Sequence, residues 1–111
     1  MRDSTLLFLA LLFISCAPTI QSVDYRPKDY GGPPWKIEAR WHSLGDNLSV
    51  IIDGNLVLHT GVNIVSGKAD AEGTYEGKKI TARVFKSGEL FQEKLIVQIF
   101  VDADKAAEFE F

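Results

Sequence analysis

Cysteine occurs once in this chain, at position 16, so no internal disulfide can form and a multi-thiolate zinc site is excluded. Histidine is nearly as scarce, with only His42 and His59. Proline is missing from residue 35 onward; all four prolines, Pro18, Pro27, Pro33 and Pro34, lie in one short stretch before it. Basic clusters are also lacking. Apart from Lys78-Lys79, the 12 basic residues are scattered singly among 15 acidic ones, for a net charge of -3. A protein that neutralises nucleic-acid phosphates needs concentrated cations, so nucleic acid is not an expected partner. No stretch carries helical periodicity of normal length. Asp104 to Glu108 has some helical propensity, but Phe109 and Phe111 return to alternation.

What remains is strand pattern. The 111 residues have room for one domain, and 46% hydrophobic with 24% charged residues is ordinary globular usage. From Trp35 to Phe111, Gly45, Gly54, Gly61, Gly67, Gly73, Gly77 and Gly88 punctuate segments in which apolar residues recur every second position. Ile37, Ala39 and Trp41 alternate with Lys36, Glu38, Arg40 and His42; Leu48, Val50 and Ile52 alternate with Ser49, Ile51 and Asp53; Ile80, Ala82 and Val84 alternate with Thr81, Arg83 and Phe85. Asp53-Gly54, between "LSVII" and "NLVLH", is the strongest hairpin signal, because both residues tolerate φ > 0. Glu76-Gly77-Lys78 and the segment from Asp102 to Lys105 predict two more connections. The expected fold is all-β, an antiparallel sandwich or small barrel of six to eight strands. "VIIDGNLVL" and "IFVDADKAA" echo each other weakly, at a level expected by chance among hairpins.

Ahead of the domain lies an address. Residues 6 to 14 (LLFLALLFI) are all apolar, preceded by Met1-Arg2. A bilayer-spanning helix needs about 20 residues, whereas this run matches the apolar core of a secretory signal. Phe13-Ile14-Ser15-Cys16 then resembles the lipobox of bacterial lipoproteins, with Phe13 standing where that family usually has Leu. The resemblance covers residues 1–16. It implies that Cys16 takes a diacylglyceryl group, that cleavage before it makes it the first residue, and that a second acylation completes a membrane anchor. Ala17 at the next position, by that family's sorting habit, points to an outer membrane. The expected organisation is therefore a signal peptide over 1–15, a lipidated cysteine and extended linker over 16–34, and a β domain over 35–111, the alternative being that Val23 to Tyr25 or the Tyr30 to Trp35 region packs onto the domain as an extra edge.

The search for chemistry yields little. A two-residue turn at either Asp53-Gly54 or Gly54-Asn55 would put His59 on the face of Val50, Ile52 and Val57, opposite the face of His42, so a two-histidine metal site is not expected. Asp70/Glu72 and Asp102/Asp104 are carboxylate pairs spaced by two, which on a strand share one face; solvated surface is the expected role. "DADKAAEFE" lacks the glycine and ligand run of a calcium loop, and "SGELF" lacks a nucleophile elbow. Asn47-Leu48-Ser49 fits a glycan sequon, which bacterial lipid processing makes irrelevant. The terminal "EFEF" is similar to the last strand of outer-membrane barrels, but the chain is too short for a spanning barrel, and a last strand of the domain's own sheet is expected.

The function expected from these features is a non-enzymatic, lipid-anchored envelope protein that binds an envelope protein partner, with inhibitor or exclusion roles within that class. No cofactor, metal or catalytic residue is assigned. Tyr25, Tyr30, Trp35 and Phe91 are the candidate contacts, since large rigid side chains dominate interface energetics. One alternative is a periplasmic hydrolase or metal-binding enzyme using Asp70, Glu72 or His59; another is a structural envelope scaffold.

Overall fold

The computed structural model describes residues 18–62, 68–88 and 94–111. Cys16, the lipobox and Phe91 lie outside them. Eight strands follow in chain order: β1 (Thr19–Tyr25), β2 (Trp35–His42), β3 (Asn47–Ile52), β4 (Asn55–Gly61), β5 (Lys68–Tyr75), β6 (Lys78–Ser87), β7 (Lys94–Val101) and β8 (Asp104–Glu110). They form two antiparallel meanders, β1-β2-β3-β4 (sheet A) and β5-β6-β7-β8 (sheet B). Alternation decides what each strand buries, because successive side chains point to opposite faces. Trp35, Ile37, Ala39, Leu48, Val50, Ile52 and Leu58 of sheet A meet Ile80, Ala82, Val84, Val97, Ile99, Val101, Ala107 and Phe109 of sheet B in a single core. The all-β sandwich is therefore what the chain forms.

Two expectations change here. Residues 19–25, assigned to an extended linker, instead form β1, paired with β2 from Thr19↔Trp41 to Tyr25↔Trp35. The strand itself contains no proline; Pro18 and Pro27 bracket it and set its ends, and Pro27 is buried. Val23 and Tyr25 pack against the core. The carboxyl end behaves as expected: Phe109 is buried, and Phe111 and Leu95 exchange backbone hydrogen bonds of 2.8 and 2.9 Å.

The second change concerns the sequence echo: its two segments occupy equivalent places in the two sheets. Each sheet has the same register. Tyr25 ends β1 opposite Trp35, and Tyr75 ends β5 opposite Lys78; Ala39 pairs Val50 as Ala82 pairs Ile99. Lys36-Ile37-Glu38-Ala39-Arg40 and Lys79-Ile80-Thr81-Ala82-Arg83 occupy equivalent places. In β4 and β8 the ladder slips at the same point, leaving Val57 and Ala106 as extra residues. The turn device is also repeated. Asp53, at φ 50°, accepts from the Lys36 backbone N–H through Oδ1 at 2.9 Å, and its own N–H donates to the Lys36 carbonyl at 3.0 Å. Asp102, at φ 54°, does the same with Lys79 at 3.0 and 2.7 Å. Aspartate suits this place because it tolerates the left-handed region and carries its own acceptor.

The sheets are locked across both seams. The Tyr75 hydroxyl donates to Asp53 Oδ2 at 3.2 Å. Tyr25 is its counterpart: burial first, then the charges of Asp104 and Asp102, push its hydroxyl above the usual tyrosine range. Burial and the bond to Asp53 push Tyr75 the same way. Gly73 in β5 faces the Val57 carbonyl of β4 so closely that a Cβ there would collide with backbone. On the opposite side, Gln21 Nε2 donates to the Glu110 carbonyl at 2.6 Å and ties β1 to β8.

Candidate functional site

Of the residues singled out as contacts, Tyr25, Tyr30 and Trp35 lie at the end of the sandwich that carries the Asp53 and Asp102 turns, and Phe91 lies outside the described residues. Trp35 is only 1% exposed, so it offers no area to a partner. Tyr30 and Tyr75 meet it edge-on, with ring centroids at 5.8 and 4.9 Å. Tyr25 and Tyr30 are half-buried against the same core. These aromatics close the end of the sandwich and hold the 26–34 connection down.

The acidic pairs of the enzyme alternative are spread over solvent-facing positions of sheet B. Asp70 Oδ1 stands 3.6 Å from Arg83 Nε, and Glu72 3.1 Å from Lys79 Nζ, with carboxylate side chains 71% and 63% exposed. Glu108 takes Lys105 at 2.8 Å and Gln98 at 2.9 Å; these bonds, the lysine's first, lower its carboxyl below the usual range. Glu110 meets Lys94 at 3.4 Å. Arg83 also lies over the Phe100 ring, 5.9 Å from its centroid. Every carboxylate projecting from the outer face of β5 and β8 is thus met by a cation of the same face. A shallow depression of about 450 Å³ lies here, lined by Lys68, Asp70, Arg83, Val84, Phe85 and Lys86. Asp102 lies in the β7–β8 turn and Asp104 opens β8, near Lys78 and Lys28 at 3.8 and 3.9 Å respectively. Among the described residues no group of three or more His, Cys, Asp or Glu side chains is placed to hold a metal ion.

The outer face of sheet A is different. His59 pairs Ser49, not an inward-facing residue, because the extra Val57 in β4 reverses the parity of everything after it. The expected separation of the two histidines is therefore overturned: His42 and His59 share the outer face with Arg40, Ser49 and Ile51. Ser49 is buried, and its Oγ lies 2.9 Å from His59 Nδ1. No carboxylate among the described residues approaches His59 to orient its ring, so the pair lacks the third member that nucleophile activation uses. Arg40 gives one Nη to Glu38 at 3.2 Å, and Lys36 meets the same carboxylate at 3.1 Å. The bond from Lys36 is the main reason the Glu38 carboxyl sits below the usual range, with Arg40 adding to it. Arg40 Nε has no acceptor. A depression of about 340 Å³ is lined by Arg40, His42, Ser49, Ile51, Gly54 and Leu56, and no carboxylate is among them. Leu56 is 65% and Ile20 50% exposed on this face, while Ile51 is 7% exposed and forms its floor.

Sequence reasoning missed this surface because one bulge residue moved His59 across the sheet. The signal that leads to it is the repeated Lys-Ile-x-Ala-Arg, which marks Arg40 and Arg83 as equivalents and invites comparison of their neighbours. Comparison of the chain with protein-family models, with curated proteins and with solved structures finds no match.

Proposed function

We propose that this is a lipid-anchored bacterial envelope protein that binds a protein partner through the outer face of sheet A and performs no chemistry on it. One observation carries the binding half of this reading. Two sheets built on the same register present opposite surfaces: one closes its outer charges into ion pairs, and the other leaves Leu56 and Ile20 exposed around Arg40 and two imidazoles. Exposed apolar side chains ringed by polar groups mark interaction sites on soluble domains. The lipobox-like Phe13-Ile14-Ser15-Cys16 supports the anchor, and Ala17 supports an outer-membrane destination. With β1 beginning at Thr19, few residues separate Cys16 from the sheet, so the anchored domain would sit close to the membrane surface.

The test is made in cells. Full-length protein labelled with radioactive palmitate is cross-linked, and the adduct is identified by mass spectrometry, for wild type and for Cys16→Ser. Label and adduct in the wild type, with both lost in Cys16→Ser, support an anchored binder whose location is part of its function. An unlabelled wild-type protein overturns the anchor, and a labelled protein with no adduct overturns the binder. Asp70→Asn and Glu72→Gln are expected to leave the adduct unchanged; loss of it would return attention to sheet B.

A further inference from the structure

The two ends of the sandwich differ in what their connections carry, and the chain enters at one of them. β1 begins at Thr19, opposite Trp41 near the close of β2. Because the two strands are antiparallel, the chain enters at the end where β2 leaves for its turn. Cys16 stands three residues before Thr19, and Leu44 three residues after Trp41, within the β2–β3 turn. Three residues of chain reach about 11 Å at most. An anchor at Cys16 therefore holds Thr19 and the β2–β3 turn beside the bilayer. The Asp53 and Asp102 turns lie at the far end of the strands, about 20 Å beyond Thr19 along β1.

The near end is apolar where the far end is polar. Of the large apolar side chains exposed among the described residues, Ile20 and Leu56 belong to strands of sheet A, whereas Leu44 lies between strands and is the most exposed, at 72%. Its turn is tied down. Gly45 at φ 94° and Asp46 at φ 49° reverse the chain directly after it, and the Asp46 carbonyl accepts from the Val62 N–H at 2.8 Å. The other connections that leave this end, from β4 to β5 and from β6 to β7, contain Ile64-Val65 and Leu90-Phe91 in sequence. The tight turns of the far end are Asp53-Gly54, Glu76-Gly77 and Asp102-Ala103, and its longer connection folds Tyr30 against Trp35. Charge does not mark the near end: Lys68, Lys86 and Lys94 stand against Asp46, Glu110 and, in sequence, Glu89 and Glu93.

We propose that the end of the sandwich carrying the β2–β3 turn is a membrane-contact surface, with Leu44 set into the boundary between lipid headgroups and acyl chains. This rests on the reading of the chain as lipid-anchored and adds the orientation of the anchored domain. The strands rise from the bilayer, the Asp53 and Asp102 turns point away from it, and the outer face of sheet A stands upright and open to a protein partner. The contact is apolar, so it forms on neutral lipid as well as on anionic lipid.

The experiment uses the chain's cysteine content. Once lipidated, Cys16 has its sulfur closed in a thioether, so an engineered cysteine is the sole free thiol. Full-length Leu44→Cys, Leu56→Cys and Ala103→Cys are made in the native host, and the mass of the amino-terminal peptide establishes whether Cys16 carries lipid. Each is labelled with nitrobenzoxadiazole and reconstituted into phosphatidylcholine vesicles containing spin-labelled lipid as quencher, with and without phosphatidylglycerol. Position 56 reports sheet A and position 103 the far end. The label at position 44 should shift to the blue and lose at least about half its intensity to the quencher, equally in both vesicles. Labels at 56 and 103 should emit as in water. Unchanged thermal unfolding shows that each variant keeps the fold. A lipidated protein whose position 44 is not quenched, or is quenched only with phosphatidylglycerol, would overturn the inference and leave the anchor in place. Quenching at 56 or 103 as strong as at 44 would also overturn it, because the domain would then lie on sheet A or on its far end. A mature protein without lipid on Cys16 would overturn the anchor and the orientation together.

Discussion

Sheet A and sheet B are two renderings of one plan. Both run four antiparallel strands, place a Lys-Ile-x-Ala-Arg segment on the second, close the third and fourth with an aspartate at φ > 0 and insert one extra residue at the same point. Their inward faces are interchangeable in kind, Ile37 for Ile80, Ala39 for Ala82, Val50 for Ile99. Their outward faces are not. The lesson is that core and turn chemistry were held to one solution by packing, while the solvent faces were free to take separate roles. Sheet B's face closes its charges into ion pairs, and sheet A's leaves Ile20 and Leu56 exposed.

The seams break the equivalence most sharply. In β5 the inward position before Tyr75 is Gly73, against the Val57 carbonyl; in β1 it is Val23. Gly73→Ala should therefore cost about 1–3 kcal/mol of stability, the usual range for overpacking, with the strain falling on backbone that cannot step aside. Val23→Ala removes only half-buried methyl groups and should cost about 1 kcal/mol. Urea midpoints of the two variants measure both; equal losses would mean that the seams are alike.

The turns should behave as a matched pair. Asp53→Ala and Asp102→Ala each remove the acceptor for a lysine backbone N–H and force alanine into the left-handed region, so each should lose about 1–2 kcal/mol. Asp53→Ala should lose the more, because Tyr75 also loses its acceptor. Asparagine at either place should stay close to wild type, since it keeps both the acceptor and the tolerance for φ > 0. Calorimetric unfolding of the four variants checks this. Losses that differ widely between Asp53 and Asp102 would argue against equivalent turns.

A smaller effect sharpens the same comparison at alkaline pH. Both Tyr25 and Tyr75 are raised from the ordinary 10.0 in the folded chain, so the folded state holds its phenolic protons more tightly than the unfolded one. The stability this contributes is fully present below the unfolded value and is lost as pH rises through the folded values. Denaturant midpoints should fall above about pH 10, and Tyr25→Phe or Tyr75→Phe should each remove part of that slope. A midpoint flat with pH would show that neither tyrosine is linked to folding.

Much of the scaffold was legible beforehand. The period of two from Lys36 to Trp41 and from Ile80 to Val84, the Asp53-Gly54 hairpin and the terminal Phe109 strand all follow from side-chain alternation and turn chemistry, which are local. The first strand was legible only as the lesser alternative, an added edge at Val23 to Tyr25, because Pro18 and Pro27 read as a spacer when they are the brackets of seven paired residues. The repeat was only half legible: the connections after β1 and β5 differ in length, so no single offset aligns the halves. The surface on sheet A was hidden for a stricter reason. A bulge adds one residue without a compositional mark, and parity beyond it cannot be counted from the sequence. His59 therefore appeared on the wrong face, and the contrast between Arg40 and Arg83 emerged only when the two registers could be laid side by side.

Hydroxyl-radical footprinting compares the full-length protein on membranes from its own cells with the same protein purified away from partners in detergent. If the two sheets share a scaffold but only one is a docking face, oxidation of Ile20, Leu56 and His59 should drop on the membranes while Phe85 and Phe100 react alike in both samples. Protection of Phe85 and Phe100 instead, or of neither set, would contradict the division of labour between the sheets.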